Sequence, residues 1–245
     1  MSQILFISDL HLAPERPATV DLFLDLLHGR AREADALYIL GDLFDAWIGD
    51  DDDQPPYPDI RSALRGLTAA GTRCALMRGN RDFLIGRRFA RDTGCSLLSD
   101  PFLLDLGPDP TLLMHGDLLC TDDLPYQQFR RRVRNPLVIR LFLWKSLAKR
   151  RTLAADYRRK SHAATAAKTE NIMDVNQKAV EDHMRRFGAV RLIHGHTHRP
   201  GDHRFDLDGR RVDRLVLAEW HEDRGEILVC SDGAWSRETV RPDKH

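Results

Sequence analysis

Five short apolar runs constrain what this chain can fold into: Gln3 to Ile7, Ala36 to Leu40, Arg73 to Met77, Leu112 to Met114 and Val190 to Ile193. They are too short for amphipathic helices and continuous rather than alternating, the pattern of strands covered on both faces. Each runs directly into polar residues: Ser8-Asp9-Leu10-His11, Gly41-Asp42, Gly79-Asn80, His115-Gly116-Asp117 and Gly195-His196-Thr197-His198. Between the first three runs lie helical segments. One carries Val20, Leu22, Phe23, Leu26 and Leu27 on a single face, one covers about 59–70, and Leu84 to Asp92 reads as a third. Alternating strand and helix predicts an α/β layered fold, and such sheets gather ligands beyond the C-terminal ends of their strands.

At 245 residues the chain suits one domain, residues 1–245, with a full core. Lysine and arginine total 37 and so do the acids, so any charged surface has to be local. Cys74, Cys95, Cys120 and Cys230 are scattered without a CxxC pair and are expected to be reduced and buried. The chain enters its first strand at Gln3 with no basic leader, which reads as the absence of a signal peptide. No apolar run reaches the ~20 residues of a membrane span.

The acidic run Asp50 to Asp53, followed by Pro55-Pro56, lacks the spacing, glycine and glutamate of an EF-hand calcium loop, so a solvated loop is expected. Residues 121–177 break the strand series with arginine, lysine, alanine and leucine, a helical insertion or lid. Strand patterns return at Arg204 to Leu207, Val212 to Trp220, Glu226 to Cys230 and Ala234 to Val240, and are expected to build a second sheet.

Asp9, His11, Asp42, Asn80, His115, His196 and His198 together form an oxygen and nitrogen donor set with no thiolate, suited to Mn²⁺, Fe²⁺ or Zn²⁺. Each fragment alone has an ordinary explanation, as a turn, a cap or a buried histidine. Five of them at five strand ends do not. Seven donors are too many for one ion and suit two that share a carboxylate, with Asp42 as the bridge.

In this order along the chain, the motifs resemble the calcineurin-like metallophosphoesterase superfamily. The resemblance implies an αββα layered sandwich. One divalent metal would be held by Asp9, His11, Asp42 and His198, and a second by Asp42, Asn80, His115 and His196. Many members carry histidine after the Gly-Asn pair, where this chain has Arg81. Arginine cannot act as a general acid near neutral pH, but it can clamp a phosphate through two N–H groups. That favours a diphosphate substrate, whose leaving phosphate needs no proton.

Gly79-Asn80-Arg81-Asp82-Phe83, Ile172-Met173-Asp174-Val175-Asn176 and His194 to Pro200 resemble a narrower group, the UDP-2,3-diacylglucosamine pyrophosphohydrolases of lipid A biosynthesis. That resemblance implies hydrolysis of UDP-2,3-diacylglucosamine to UMP and 2,3-diacylglucosamine 1-phosphate (lipid X), with Mn²⁺ as the metal. Asp42, Asn80, Arg81 and His115 would carry catalysis. Asn80, Arg81, Asp123, Ser161, Thr165, Lys168 and His196 would touch substrate, although the family often has asparagine where this chain has Thr165. Asp45 and Asp117 are expected to orient ligand imidazoles. The rival readings are a cyclic-nucleotide phosphodiesterase or nuclease, and a non-catalytic metal-binding scaffold.

Between Arg130 and Lys160 twelve basic residues face a single acid, Asp156, and are interleaved with Leu137, Val138, Ile139, Leu141, Phe142, Leu143, Trp144 and Leu147. This combination fits an anionic, apolar partner: acyl chains in a cleft, and peripheral contact with the cytoplasmic face of a bacterial inner membrane. Nucleic acid would use the same charges but is not expected, since it also calls for stacking aromatics throughout the stretch.

Overall fold

The computed structural model describes residues 3–107, 109–166 and 174–242, with side chains for all of these except 160–166. The Ile172-Met173 pair and Lys168 lie outside the described residues, as do the side chains of Ser161 and Thr165.

One sheet holds β1 (Gln3–Ile7), β2 (Ala36–Leu40), β3 (Arg73–Met77) and β4 (Ser96–Leu98), side by side and parallel. β10 (Gly225–Ser231) and β11 (Ala234–Val240) extend it antiparallel beyond β1, giving the order β11-β10-β1-β2-β3-β4. The other sheet runs β5-β6-β7-β9-β8, from β5 (Phe102–Leu104), β6 (Thr111–Leu113), β7 (Arg191–His194), β9 (Arg210–Val216) and β8 (Gly201–Leu207). The C-terminal strands therefore do not make a sheet of their own. β8 and β9 join the β6–β7 sheet, while β10 and β11 cross to the edge of β1. Alternation along a strand says which face is buried, not which sheet the strand pairs with.

The layers are α/β/β/α. α1 (Pro17–His28), α2 (Tyr57–Ala69) and α3 (Arg87–Thr93) bury Phe23, Leu26, Ile60, Leu64 and Phe89 against one face of the first sheet. Between the sheets lie Phe6, Leu40, Met77, Leu113, Ile193 and Leu228. On the far side, α7 (Gln177–Phe187) packs Val180 and Met184 against Leu112 and Leu192. β1, β2, β6 and β7 are covered on both faces, hence their continuous apolar sequences. All four cysteines are buried and none is in a disulfide.

Between β6 and α7 the chain forms α4 (Leu124–Val133), α5 (Pro136–Leu143) and α6 (Leu147–Ala166). Asp123 and Asn135 cap the first two, accepting from the Tyr126 and Leu137 N–H groups, and a proline follows each cap. Among the described residues 124–159 Arg150 alone is buried, while Leu137, Leu141 and Trp144 are 71%, 58% and 74% exposed. Polar contacts hold these helices down. Arg150 reaches the Ile48 carbonyl at 2.8 Å and pairs with Asp51, and Arg151 pairs with Asp52. The acidic run is thus a docking site as well as a loop, exposed at Asp51 and Asp53. Asp50 also takes the Gly86 and Phe89 N–H groups, which sets the start of α3 at Arg87 rather than at Leu84.

No described helix is long and apolar enough to cross a membrane.

Candidate metal centre

The C-terminal ends of β1, β2 and β3 meet those of β6 and β7, and ladder-like backbone bonds continue past the strands. Asp9 N–H donates to Gly41 at 3.1 Å, His11 N–H to Asp42 at 3.0 Å and Gly195 N–H to His115 at 2.9 Å. Two glycines permit this approach. A Cβ on Gly79 would stand 2.1 Å from an Asp42 carboxylate oxygen, and one on Gly195 would stand 2.2 Å from Asp9 and Ser8. Asp82, fully buried, ties the turns by accepting from Leu43 N–H at 2.8 Å and Gly79 N–H at 2.7 Å.

Five of the seven expected ligands, Asp9, His11, Asp42, His196 and His198, have φ between 50° and 69°, the left-handed region. Such backbone costs of order 1–3 kcal/mol per non-glycine residue and persists where surrounding structure enforces it, typically at functional sites. Among the described residues, non-glycine backbone of this kind occurs at these strand-end turns and at two surface turns, Asp208 and Asp232.

All seven residues converge. His11 Nε2 and His198 Nε2 face each other at 3.2 Å, with Asp9 Oδ1 3.6 Å from the latter. Asn80 Oδ1 lies 2.8 Å from both His115 Nε2 and His196 Nδ1. Asp42 lies between the groups, Oδ2 3.9 Å from His11 Nδ1 and Oδ1 3.7 Å from His115 Nε2. Donors ~2.1 Å from one ion sit about 3 Å apart, so these spacings suit two cations that share Asp42. Buried atoms of the cluster also want a partner: among the described residues, Asp9 Oδ1 and His11 Nδ1 have no hydrogen bond. Asp9, His11 and His198, and again Asp9, Asp42 and His115, each offer ligand atoms within 4.8 Å of one another. The residues therefore fit a pair of divalent ions.

Electrostatics describes the same cluster. Burial pushes Asp42 up to about 7. Burial alone would lower His115, but Asp42, Asp117 and Asp9 together hold it at about 9. His198 is likewise raised to about 10, by Asp9 and Glu219 against the pull of burial. Burial, then the charge of His115, lowers His196 to about 3. Excess carboxylate charge in a buried cavity is the environment a cation relieves.

The other expected residues sit as follows. Arg81 adjoins Asp42, its backbone N–H donating to Oδ1 at 2.8 Å and its Nε 3.8 Å from Oδ2. Asp123 caps α4 and is buried. Asp45 and Asp117 do not orient imidazoles. Asp45 pairs with Arg81 and with Arg158 of α6. Asp117 accepts from Tyr126 and Arg130 at 2.7 Å each and from Arg134 at 3.3 Å, anchoring α4. The Nδ1–H of His115 goes instead to the Leu40 carbonyl at 2.9 Å. Sequence reasoning missed Glu219, which meets His198, and the arginines that join the helical segment to the site.

A model of the calcineurin-like phosphoesterases matches residues 2–200 of this chain. The chain belongs to that family. Among calcineurin-like phosphoesterases it is similar to the UDP-2,3-diacylglucosamine hydrolase of Serratia proteamaculans, 50% identical over 228 residues, 93% of this chain and 95% of the relative. The protein of that name from Klebsiella pneumoniae is 50% identical over 228 residues, with the same coverage of each. The one from Pseudomonas paraeruginosa is 49% identical over 230 residues, 94% of this chain and 96% of the relative.

Proposed function

We propose that this chain hydrolyses the diphosphate of UDP-2,3-diacylglucosamine, releasing UMP and 2,3-diacylglucosamine 1-phosphate, with Mn²⁺ at both cation positions. The observation that carries the reading is the pairing of a complete two-cation donor set with Arg81 at the position next to Asn80. Relatives about 50% identical along nearly their whole length carry the name of that hydrolase. The donors, imidazole, carboxylate and amide oxygen, belong to the hard-to-borderline class that suits Mn²⁺.

A pair of divalent ions, when bound, activates water and draws charge from phosphoryl oxygens. The chain's own groups do the rest. Asp42 would serve both cation positions and Asn80 the second, and Arg81 would present its guanidinium to an equatorial phosphoryl oxygen. Water gives up a proton to solvent as its oxygen bonds to the phosphorus on the uridine side and the bond from that phosphorus to the bridging oxygen breaks. The bridging oxygen leaves with the sugar phosphate, whose second pKa of about 6 makes protonation unnecessary. A site with arginine rather than a proton donor suits this leaving group.

The exposed apolar residues of α5, with Trp144, would meet the acyl chains and a membrane surface, placing the enzyme peripherally on the cytoplasmic face of a bacterial inner membrane. Among the described basic side chains there, Arg130, Arg134, Arg150, Arg151, Arg158 and Arg159 pair with acids of this chain. Attraction to anionic lipid therefore falls to the remainder, among them Arg131, Arg132, Arg140, Lys145 and Lys149. Residues 121–177 would act as the lid of a single domain.

Product analysis with Mn²⁺ and UDP-2,3-diacylglucosamine, alongside bis-p-nitrophenyl phosphate and DNA, tests the reading. UMP as the sole nucleotide product is expected. UDP, inorganic phosphate or preferential cleavage of DNA would contradict it.

A further inference from the structure

We propose that Glu219 is the positioning residue of the first cation site, holding His198 in the tautomer and orientation that turn Nε2 toward the ion. The proposal rests on the two-cation reading, and Glu219 lies beyond the matched residues 2–200.

His198 is a ligand that burial alone does not fix: its side chain is 30% exposed, against 2% for His11 and 0% for His115. Burial and the Leu40 carbonyl orient His115. For His198 that role falls to Glu219, whose Oε2 lies 3.0 Å from Nδ1. With Nδ1 so occupied, Nε2 is the free nitrogen. It points at His11 Nε2, 3.2 Å away, and at Asp9 Oδ1, 3.6 Å away. The carboxylate also adds negative charge beside the cluster, with Oε1 3.9 Å from His11 Nε2.

The backbone carrying Glu219 is anchored on both sides. Leu217 N–H donates to His194 of β7 at 2.8 Å, and Trp220 N–H donates to Asp9 at 3.1 Å. Arg16 clamps the Trp220 carbonyl at 2.7 Å while reaching the Leu10 and His11 carbonyls at 3.2 and 3.3 Å. Trp220 itself is fully buried. A Cβ on Gly225 would stand 2.6 Å from its ring, so the segment is packed without slack. This loop therefore bridges the turns that supply Asp9, His11 and His198, and delivers a carboxylate to an imidazole that burial does not fix. A carboxylate on the far nitrogen of a ligand histidine sets its tautomer and raises its basicity, and losing one typically weakens metal binding 10–100-fold.

The test is calorimetric titration of metal-free wild type, Glu219→Ala and Glu219→Gln with Mn²⁺, together with ¹⁵N spectra of the His198 ring in the Zn²⁺-loaded proteins. Wild type is expected to bind two ions, with His198 protonated at Nδ1. Glu219→Ala should weaken one of the two sites by about 10–100-fold, leave the other unchanged and let the His198 tautomers mix. Glu219→Gln keeps an acceptor for Nδ1–H and should recover most of the loss. Equal affinity in all three proteins, or equal weakening of both sites, would overturn the proposal. A wild type that binds fewer than two ions would instead remove the two-cation reading beneath it.

Discussion

His11 and His198 are separated by 187 residues in the chain, yet their Nε2 atoms face each other across 3.2 Å. Two imidazole nitrogens aimed at the same point make poor hydrogen-bond partners and good ligands. The two turns that carry them are tied directly by His196 N–H, which donates to Asp9 Oδ2 at 2.9 Å. Both histidines adopt a left-handed backbone conformation.

Cation uptake should release protons. His115 and His198 titrate near 9 and 10 in the metal-free cluster, and both must be neutral to act as ligands. At pH 8 loading should therefore expel about two protons, and affinity should rise with pH through that range. Below about 7 Asp42 takes up a further proton, so affinity should fall more steeply on the acid side. Calorimetry in buffers of different ionisation enthalpy measures the release directly. Heats at pH 8 that do not depend on the buffer would contradict it.

Arg81 presents a fork of N–H groups beside Asp42, and charge alone does not replace it. Arg81→Lys should lower kcat/KM by about 10²-fold while Mn²⁺ affinity stays near wild type. Steady-state kinetics and metal titration of the same preparation separate the two effects. Activity within a few-fold of wild type would show that Arg81 does not touch the reacting phosphate.

Asp117 is fully buried and receives Tyr126, Arg130 and Arg134. Asp117→Ala strips the charge partner from both arginines and should destabilise the protein by about 3 kcal/mol or more. Hydrogen exchange should show α4 opening before the sheets do. Uniform protection loss across the molecule would instead give Asp117 a purely global role.

Leu141 and Trp144 are exposed apolar residues on a basic segment. Replacing both with serine should weaken co-sedimentation with anionic phospholipid vesicles by about tenfold or more, with cation affinity unchanged. Equal binding of wild type to anionic and zwitterionic vesicles would count against the membrane contact.

The convergence of the seven donor side chains was legible because each stands at the end of an apolar run, where chain position predicts position in the fold. The layered α/β architecture was legible for the same reason. The partition of the last four strands was not, since alternation along Arg204 to Leu207 or Ala234 to Val240 carries no record of the neighbouring strand. Asp45 and Asp117 stand close to ligands in the sequence, yet their carboxylates turn to arginines of the helical segment. Arg150 and Arg151 find their acids 99 residues away, which is why the basic stretch looked freer than it is. Glu219 was hidden inside an apolar run read as continuous strand. Its role exists only once β9 lies beside β7 and the chain turns back over Asp9.

Anomalous diffraction from crystals loaded with Mn²⁺ tests the central claim most directly. Two peaks ~3.5–4 Å apart are expected, one among Asp9, His11, Asp42 and His198, the other among Asp42, Asn80, His115 and His196. A single peak, or ions held by other side chains while these seven turn away from one another, would contradict it.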